Sequence, residues 1–106
     1  MVVRVAALVA LVSACSSANS TGIAPVSCPP AGTTLTYANF GEELIANHCI
    51  DCHDRESPVL TTQAAILQHA SQILDEAVYT DAMPEDRGMP LMERERLGEW
   101  LACGAP

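Results

Sequence analysis

Lysine is absent from this chain of 106 residues, and its five cations, all arginine, face 13 acidic residues for a formal charge of −8. A surface of that sign does not neutralise phosphates, so nucleic acid is excluded as an expected partner. Aromatic residues make up only 4%, with one tryptophan and one phenylalanine. Within an apolar content of 49%, aliphatic side chains must therefore supply most of any core. The length excludes a multidomain enzyme. Convincing strand alternation and internal repeats are also missing, which leaves helices as the available architecture. No apolar run approaches the roughly 20 residues that a membrane-spanning helix needs.

The longest apolar run lies near the start, where Arg4 precedes Val5-Ala6-Ala7-Leu8-Val9-Ala10-Leu11-Val12-Ser13-Ala14. One cation, a short apolar stretch and small residues at its end predict a signal peptide over residues 1–14. The sequence Val12-Ser13-Ala14-Cys15 resembles the lipobox of bacterial lipoproteins, which implies acylation of Cys15 after cleavage. Several acyl chains would hold such a terminus to a membrane, each buried CH₂ contributing about 0.8 kcal/mol. Cleavage elsewhere, for instance after Ala18, is the competing outcome. Removal of residues 1–14 takes Arg4 with it and leaves a still more acidic chain. The expected location is exported, on the periplasmic side or the cell surface. Ser16 favours the outer membrane by resemblance, if the source has one.

Residues 15–36 are rich in Ser, Thr, Gly and Pro and carry no helical period, which predicts a tether. Cys28, before Pro29-Pro30, suggests that the second half of this tether is pinned to the domain. Residues 37–106 are expected to form that domain, all-α with three main helices. The first spans Phe40 to Cys49, capped by Asn39 with Glu42 three residues on, and buries Phe40, Leu44 and Ile45. The second spans Thr62 to Tyr79, where Ile66, Leu67, Ala70, Ile73, Leu74, Ala77 and Val78 recur at helical spacing. The third starts near Pro90, turns Leu97, Trp100 and Leu101 inward, and stops at Gly104. Three short helices are a thin core for a domain of this size.

Between the first two helices stands Cys49-Ile50-Asp51-Cys52-His53, the C-x-x-C-H pattern of covalent c-type haem attachment. On a helical turn Cys49 and Cys52 lie at i and i+3. Both sulfurs can then reach the two vinyl groups along one porphyrin edge, while His53 offers an imidazole to the iron. A large flat apolar cofactor would also complete the thin core. Two rivals share these residues. A thioredoxin-like thiol pair would need a preceding strand, and a zinc site would have to recruit Cys28 or Cys103 without a second ligand pair at finger spacing.

The chain resembles the small monohaem class I c-type cytochromes, bacterial lipoprotein cytochromes among them. The features that carry this are C-x-x-C-H after a short helix, a Met-Pro element after the long helix, and a final helix bearing an aromatic. The resemblance covers residues 37–106. It implies a cytochrome c-like fold of three main helices around one covalent haem c, with Phe40, Leu44 and Ile45 packed on Leu97, Trp100 and Leu101. It also implies a methionine sulfur as second axial ligand, and Met83-Pro84 and Met89-Pro90 both offer one. Met83 is favoured, because a loop after it can pass over the haem face, and Met89 is the alternative. Glu85 stands where the family form carries a second proline. His69, the remaining competitor for the sixth position, lies at the edge of the second helix's apolar stripe and is expected to be a surface or boundary residue, His48, on another side of its helix, a solvated one, and Met92 an ordinary packing or exposed methionine. Cysteines 28 and 103 then remain, and an exported compartment permits them to pair, closing a long loop worth ~3 to 5 kcal/mol. Free or intermolecular thiols are the alternative.

The implied function is one-electron transfer with His53 and Met83 as axial ligands, between redox protein partners that the sequence does not name, by a carrier and not an enzyme. The alternatives are a haem sensor or peroxidase-like module, kept open by Glu85, and a haem subunit of a larger oxidoreductase. The absence of lysine argues against the lysine-rimmed docking surface of some class I cytochromes.

Overall fold

The computed structural model describes residues 18–85 and 88–106. The expected signal peptide and Cys15 lie outside the described residues. Within them the chain is helical, with no strand and a single isolated antiparallel bridge between Ser20 and Thr80. No helix among the described residues is long and apolar enough to cross a membrane.

A π-helical turn, Tyr37–Gly41, leads directly into α1, Glu42–His48, and after a break at Cys49 comes α2, Ile50–His53. This helical unit starts earlier than the expected Phe40, and Thr36, not Asn39, caps it. Thr36 has extended backbone, its hydroxyl accepts from the Asn39 N–H at 3.1 Å, and the Asn39 side chain accepts from the Thr36 N–H at 2.7 Å. That reciprocal pair is a capping box three residues upstream of the expected one.

The long second helix is divided into α3, Gln63–Gln68, α4, Ala70–Ile73, and a second π-turn, Leu74–Val78. Thr62 caps it through a bond from the Ala65 N–H. His69 marks the division, yet its N–H still bonds the Ala65 carbonyl and its own carbonyl accepts from Ile73, so the apolar stripe runs through the break. Ile66, Ile73, Ala77 and Val78 are buried, whereas Leu67, expected inside, is half exposed.

The last helix, α5, spans Leu91–Ala102. Its end is a Schellman motif: Gly104, at φ +87°, donates to the Leu101 carbonyl and Ala105 donates to that of Trp100. Positive φ is the reason glycine stands there. Trp100 is fully buried, stacked on Tyr37 and edge-on to Phe40, and its indole N–H donates to the Pro106 carbonyl. Phe40, Leu44, Ile45, Leu97, Trp100 and Leu101 share one core, as the sequence leads one to expect.

Gly41 permits the close approach of the first and last helices, because a Cβ there would collide with the Trp100 indole. Gly41→Ala is expected to destabilise the fold by about 2–3 kcal/mol through overpacking. Denaturant unfolding measures this, and a change under about 0.5 kcal/mol would show that the indole can shift aside.

The segment expected as a tether behaves differently from Asn19 onward. It lies along the domain as a strap. Thr21 N–H donates to the Tyr79 carbonyl and Asp81 N–H to that of Asn19, both at 3.0 Å. The Thr21 hydroxyl donates to the Val78 carbonyl at 2.6 Å, and Val26 N–H to the Tyr79 hydroxyl at 3.0 Å. Further along, Ile23 and Val26 pack on the core, Leu35 enters it, and Thr33 bonds Glu99 of α5. Cys28 and Cys103 form a disulfide that fastens the strap to the end of α5.

Candidate functional site

Cys49 is the hinge between α1 and α2, with φ −123°. Its carbonyl accepts from the N–H groups of Cys52 and His53, so the five-residue motif closes as one helical turn. Cys49 and Cys52 are both free thiols, Cys49 half-buried and Cys52 exposed. Burial pushes the Cys49 thiol up to about 11. A thiol so placed stays protonated near neutrality and is a poor nucleophile, unlike the depressed thiol of a redox-active pair.

His53 is held by the loop on its C-terminal side. Its Nδ1 lies 2.9 Å from the Pro58 carbonyl oxygen and 3.2 Å from that of Glu56, and its own carbonyl accepts from Leu60 N–H. Two carbonyls can only accept, so Nδ1 carries the proton and Nε2 keeps its lone pair. This is the arrangement by which a ligating histidine is fixed in tautomer and orientation.

The motif borders two adjoining hollows that share His48, Cys49, His53, Met83 and Pro84. The outer one, about 330 Å³, has Asp51, Cys52, Glu56 and Glu85 on its polar rim. The inner one is a crevice of about 50 Å³ walled by Leu60, Ile73, Ala77, Met89 and Leu97. The hollow that holds the carboxylates is at the lower end of the size of small-molecule sites, and the mainly apolar crevice adjoins it. A larger hollow, about 550 Å³, lies beyond Pro84 and Glu85 and is lined by Ser20, Asp81 and Arg94 among others, but by no cysteine or histidine. The chemistry-bearing residues converge on the smaller pair.

Met83 follows the second π-turn, and its N–H bonds the Glu76 carbonyl. It is half-buried and lines both hollows, whereas Met89 is buried and lines only the inner of the two. Met92 is exposed. His69 caps α3 and lines neither hollow.

His48 departs from the sequence reading. It is not a solvated residue: its Nε2 meets Glu93 Oε2 at 3.0 Å, its side chain is mostly buried, and it lines both hollows. Its Nδ1 is buried without a hydrogen-bond partner among the described residues. An orphaned polar atom at the wall of a hollow fits a site that receives a further group.

Sequence reasoning also missed Arg94, which is buried and donates through its guanidinium to the main-chain carbonyls of Ala77, Thr80, Met83 and Met89. Its signal was available, because Arg94, Leu97, Gly98 and Leu101 stand at i, i+3, i+4 and i+7 on α5, which places the arginine on the apolar stripe.

The zinc alternative loses its donors. Cysteines 28 and 103 are consumed by the disulfide, and no cluster of three or more His, Cys, Asp or Glu side chains able to hold a metal ion occurs among the described residues. No family model, curated protein or solved structure matches the chain.

Proposed function

We propose that the protein is an exported, lipid-anchored c-type cytochrome, a one-electron carrier and not an enzyme, with a cytochrome c-like fold around one covalent haem. The observation that carries this reading is His53. Within a C-x-x-C-H turn its Nδ1 is committed to the Pro58 carbonyl, which leaves Nε2 as a donor in a side chain that borders the same hollow as Cys49, Cys52 and Met83. When bound, the haem supplies reversible Fe(III)/Fe(II) exchange.

The chain's own residues would divide the work. Cys49 and Cys52 would hold the ring covalently through their sulfurs, and His53 nitrogen and Met83 sulfur would be the donors to its iron. Leu60, Ile73, Ala77, Met89 and Leu97 exclude water from the inner face. Exposed Cys52 marks the edge nearest solvent, the side open to a redox protein partner. Cys15 supplies the membrane anchor.

A pyridine haemochrome spectrum tests the reading, taken after acid–acetone extraction of the mature chain co-produced with a c-type maturation system. Haem is expected to stay with the polypeptide and give a two-thioether spectrum. In a Cys49→Ala/Cys52→Ala double variant any bound haem should become extractable. A wild-type chain that retains no haem would overturn the cytochrome reading.

A further inference from the structure

The segment expected as a tether is held to the domain from Asn19 onward. Asn19 N–H donates to Asp81 Oδ1 at 2.7 Å, and its carbonyl accepts from Asp81 N–H at 3.0 Å. Ser20 bridges to Thr80, and Thr21 bonds the carbonyls of Val78 and Tyr79. Only Ser16, Ser17 and Ala18 separate the expected acylation site, Cys15, from this first hold. Four residue steps reach at most roughly 14 Å, whereas a chain free as far as Tyr37 would reach roughly 75 Å. A lipid on Cys15 therefore keeps the Asn19 end of the domain at the bilayer surface.

That end is also where α5 begins. The carbonyl of Thr80, opposite Ser20, accepts from the guanidinium of Arg94 in the first turns of α5 at 3.3 Å. Ser20 and Leu91 border one hollow. The other end of α5, about 18 Å away along the helix axis, leads into Cys103 and its bond to Cys28. Leu91 and Met92, 51% and 68% exposed, are the two most exposed large apolar side chains among the described residues. Scattered singly, such residues would be ordinary. Adjacent to each other and at the anchored end, they offer an apolar contact to the boundary of headgroups and acyl chains. The acidic chain gains nothing from an anionic surface, so the anchor and this contact must carry the docking.

We propose that the mature chain docks on a zwitterionic bilayer surface through the start of the strap and the first turn of α5, with Leu91 and Met92 against the lipid, and that the short leash from Cys15 to Asn19 fixes this orientation. This rests on the lipid-anchored part of the proposed function and deepens it. A leash of this length keeps the two side chains at a high effective concentration beside the membrane, so a contact too weak to bind alone suffices. Pro84 and Glu85 border both this hollow and the outer hollow of the motif. Docking thus holds the motif close to the anchored end, within reach of a redox partner fixed in the same bilayer.

Hydroxyl-radical footprinting of the full mature chain tests this, read by mass spectrometry at Leu91, Met92 and Leu67. Leu67 is the internal reference: it is 49% exposed on α3, whose Gln63 bonds the Ala105 carbonyl beyond the far end of α5. The acylated chain in phosphatidylcholine vesicles is compared with an unacylated chain that starts at Ser16. Oxidation of Leu91 and Met92 relative to Leu67 is expected to fall at least threefold in the vesicles. Inserting about twenty Gly and Ser residues between Ser17 and Ala18 should return it to the unacylated value. A fall of less than threefold in the acylated chain overturns the proposal. Protection that stays above threefold with the long insert also overturns it, because the leash would then not set the orientation. The same spectra report on Cys15 itself. A mature chain without acyl groups there overturns the anchored reading, and this proposal with it, whereas haem does not enter the readout.

Discussion

Replacing Cys28 and Cys103 together by serine is expected to cost about 4 kcal/mol of stability, lowering the melting temperature by roughly 15–30 °C. The two cysteines are 75 positions apart, so their bond closes a loop that spans nearly the whole domain. In the chain-entropy account a loop of that length removes much freedom from the unfolded state, and the benefit grows with the logarithm of its size. The folded state gains as well, since the bond fastens a strap that contributes few buried side chains. Ile23 and Val26 only flank the core, and Leu35 alone enters it. The strap's remaining hold is hydrogen bonding, main-chain and side-chain, to residues 78–81 and to Glu99, each bond worth only about 1 kcal/mol net. Denaturant unfolding of the double variant beside the wild-type protein measures the effect. A loss below about 1 kcal/mol would mean that the strap's own bonds suffice and that the unfolded chain is already constrained. A Gly98→Ala variant provides an independent probe of the same contact, because a Cβ there would come within 2.7 Å of Val26 and 3.1 Å of Val78.

The parts of the fold legible in the sequence are those written in side-chain periodicity. Ile66, Ile73, Ala77 and Val78 announce their helix at 3.6-residue spacing, and Leu97, Trp100 and Leu101 do the same for α5. Such stripes survive the break at His69, because burial follows the rotation of the chain more than the continuity of its hydrogen bonds. Cys28 pointed to the pinning of the strap's second half, but its first half escaped because mostly backbone donors and acceptors bind it, and these are the same for every residue other than proline. A Ser-, Thr- and Gly-rich segment that pairs through N–H and C=O groups reads like one that pairs with water. Thr36 was overlooked as a cap because its box carries Asn39 at the third position, where the sequence signature has Glu or Gln, as the Asn39 to Glu42 pair does. The site divides in the same way. Cys49, Cys52 and His53 are contiguous and visible as a pattern, whereas the Pro58 carbonyl that holds His53 and the Glu93 that holds His48 come from elsewhere in the fold. Arg94 was passed over among the charged neighbours Glu93, Glu95 and Arg96, although its spacing to Leu97, Gly98 and Leu101 places it on the apolar stripe of α5.

Met83→Ala is expected to abolish the sulfur-to-iron absorption of the haem-loaded protein, lower its reduction potential, and open a coordination position to carbon monoxide in the reduced state. Met89→Ala is expected to retain the absorption while losing about 2–4 kcal/mol of stability, as a buried methionine does when truncated. The contrast follows from where the two side chains sit. Met89 is 6% exposed, borders only the inner crevice of the pair, and adjoins the start of α5 among core residues, so its loss leaves a cavity. Met83 is half-buried and borders both hollows together with Cys49 and His53, which puts it beside the motif. A thioether stabilises ferrous iron better than water or a second imidazole, which gives the sign of the change in potential. The two variants, measured by visible spectroscopy and by redox titration, distinguish the assignments directly. Absorption that survives in Met83→Ala and disappears in Met89→Ala would transfer the axial role to Met89 and leave Met83 as a packing residue. Absorption that survives in both would move the sixth ligand off methionine altogether, with His48, already at the wall of the hollow and with an Nδ1 that has no partner among the described residues, as the next donor to replace.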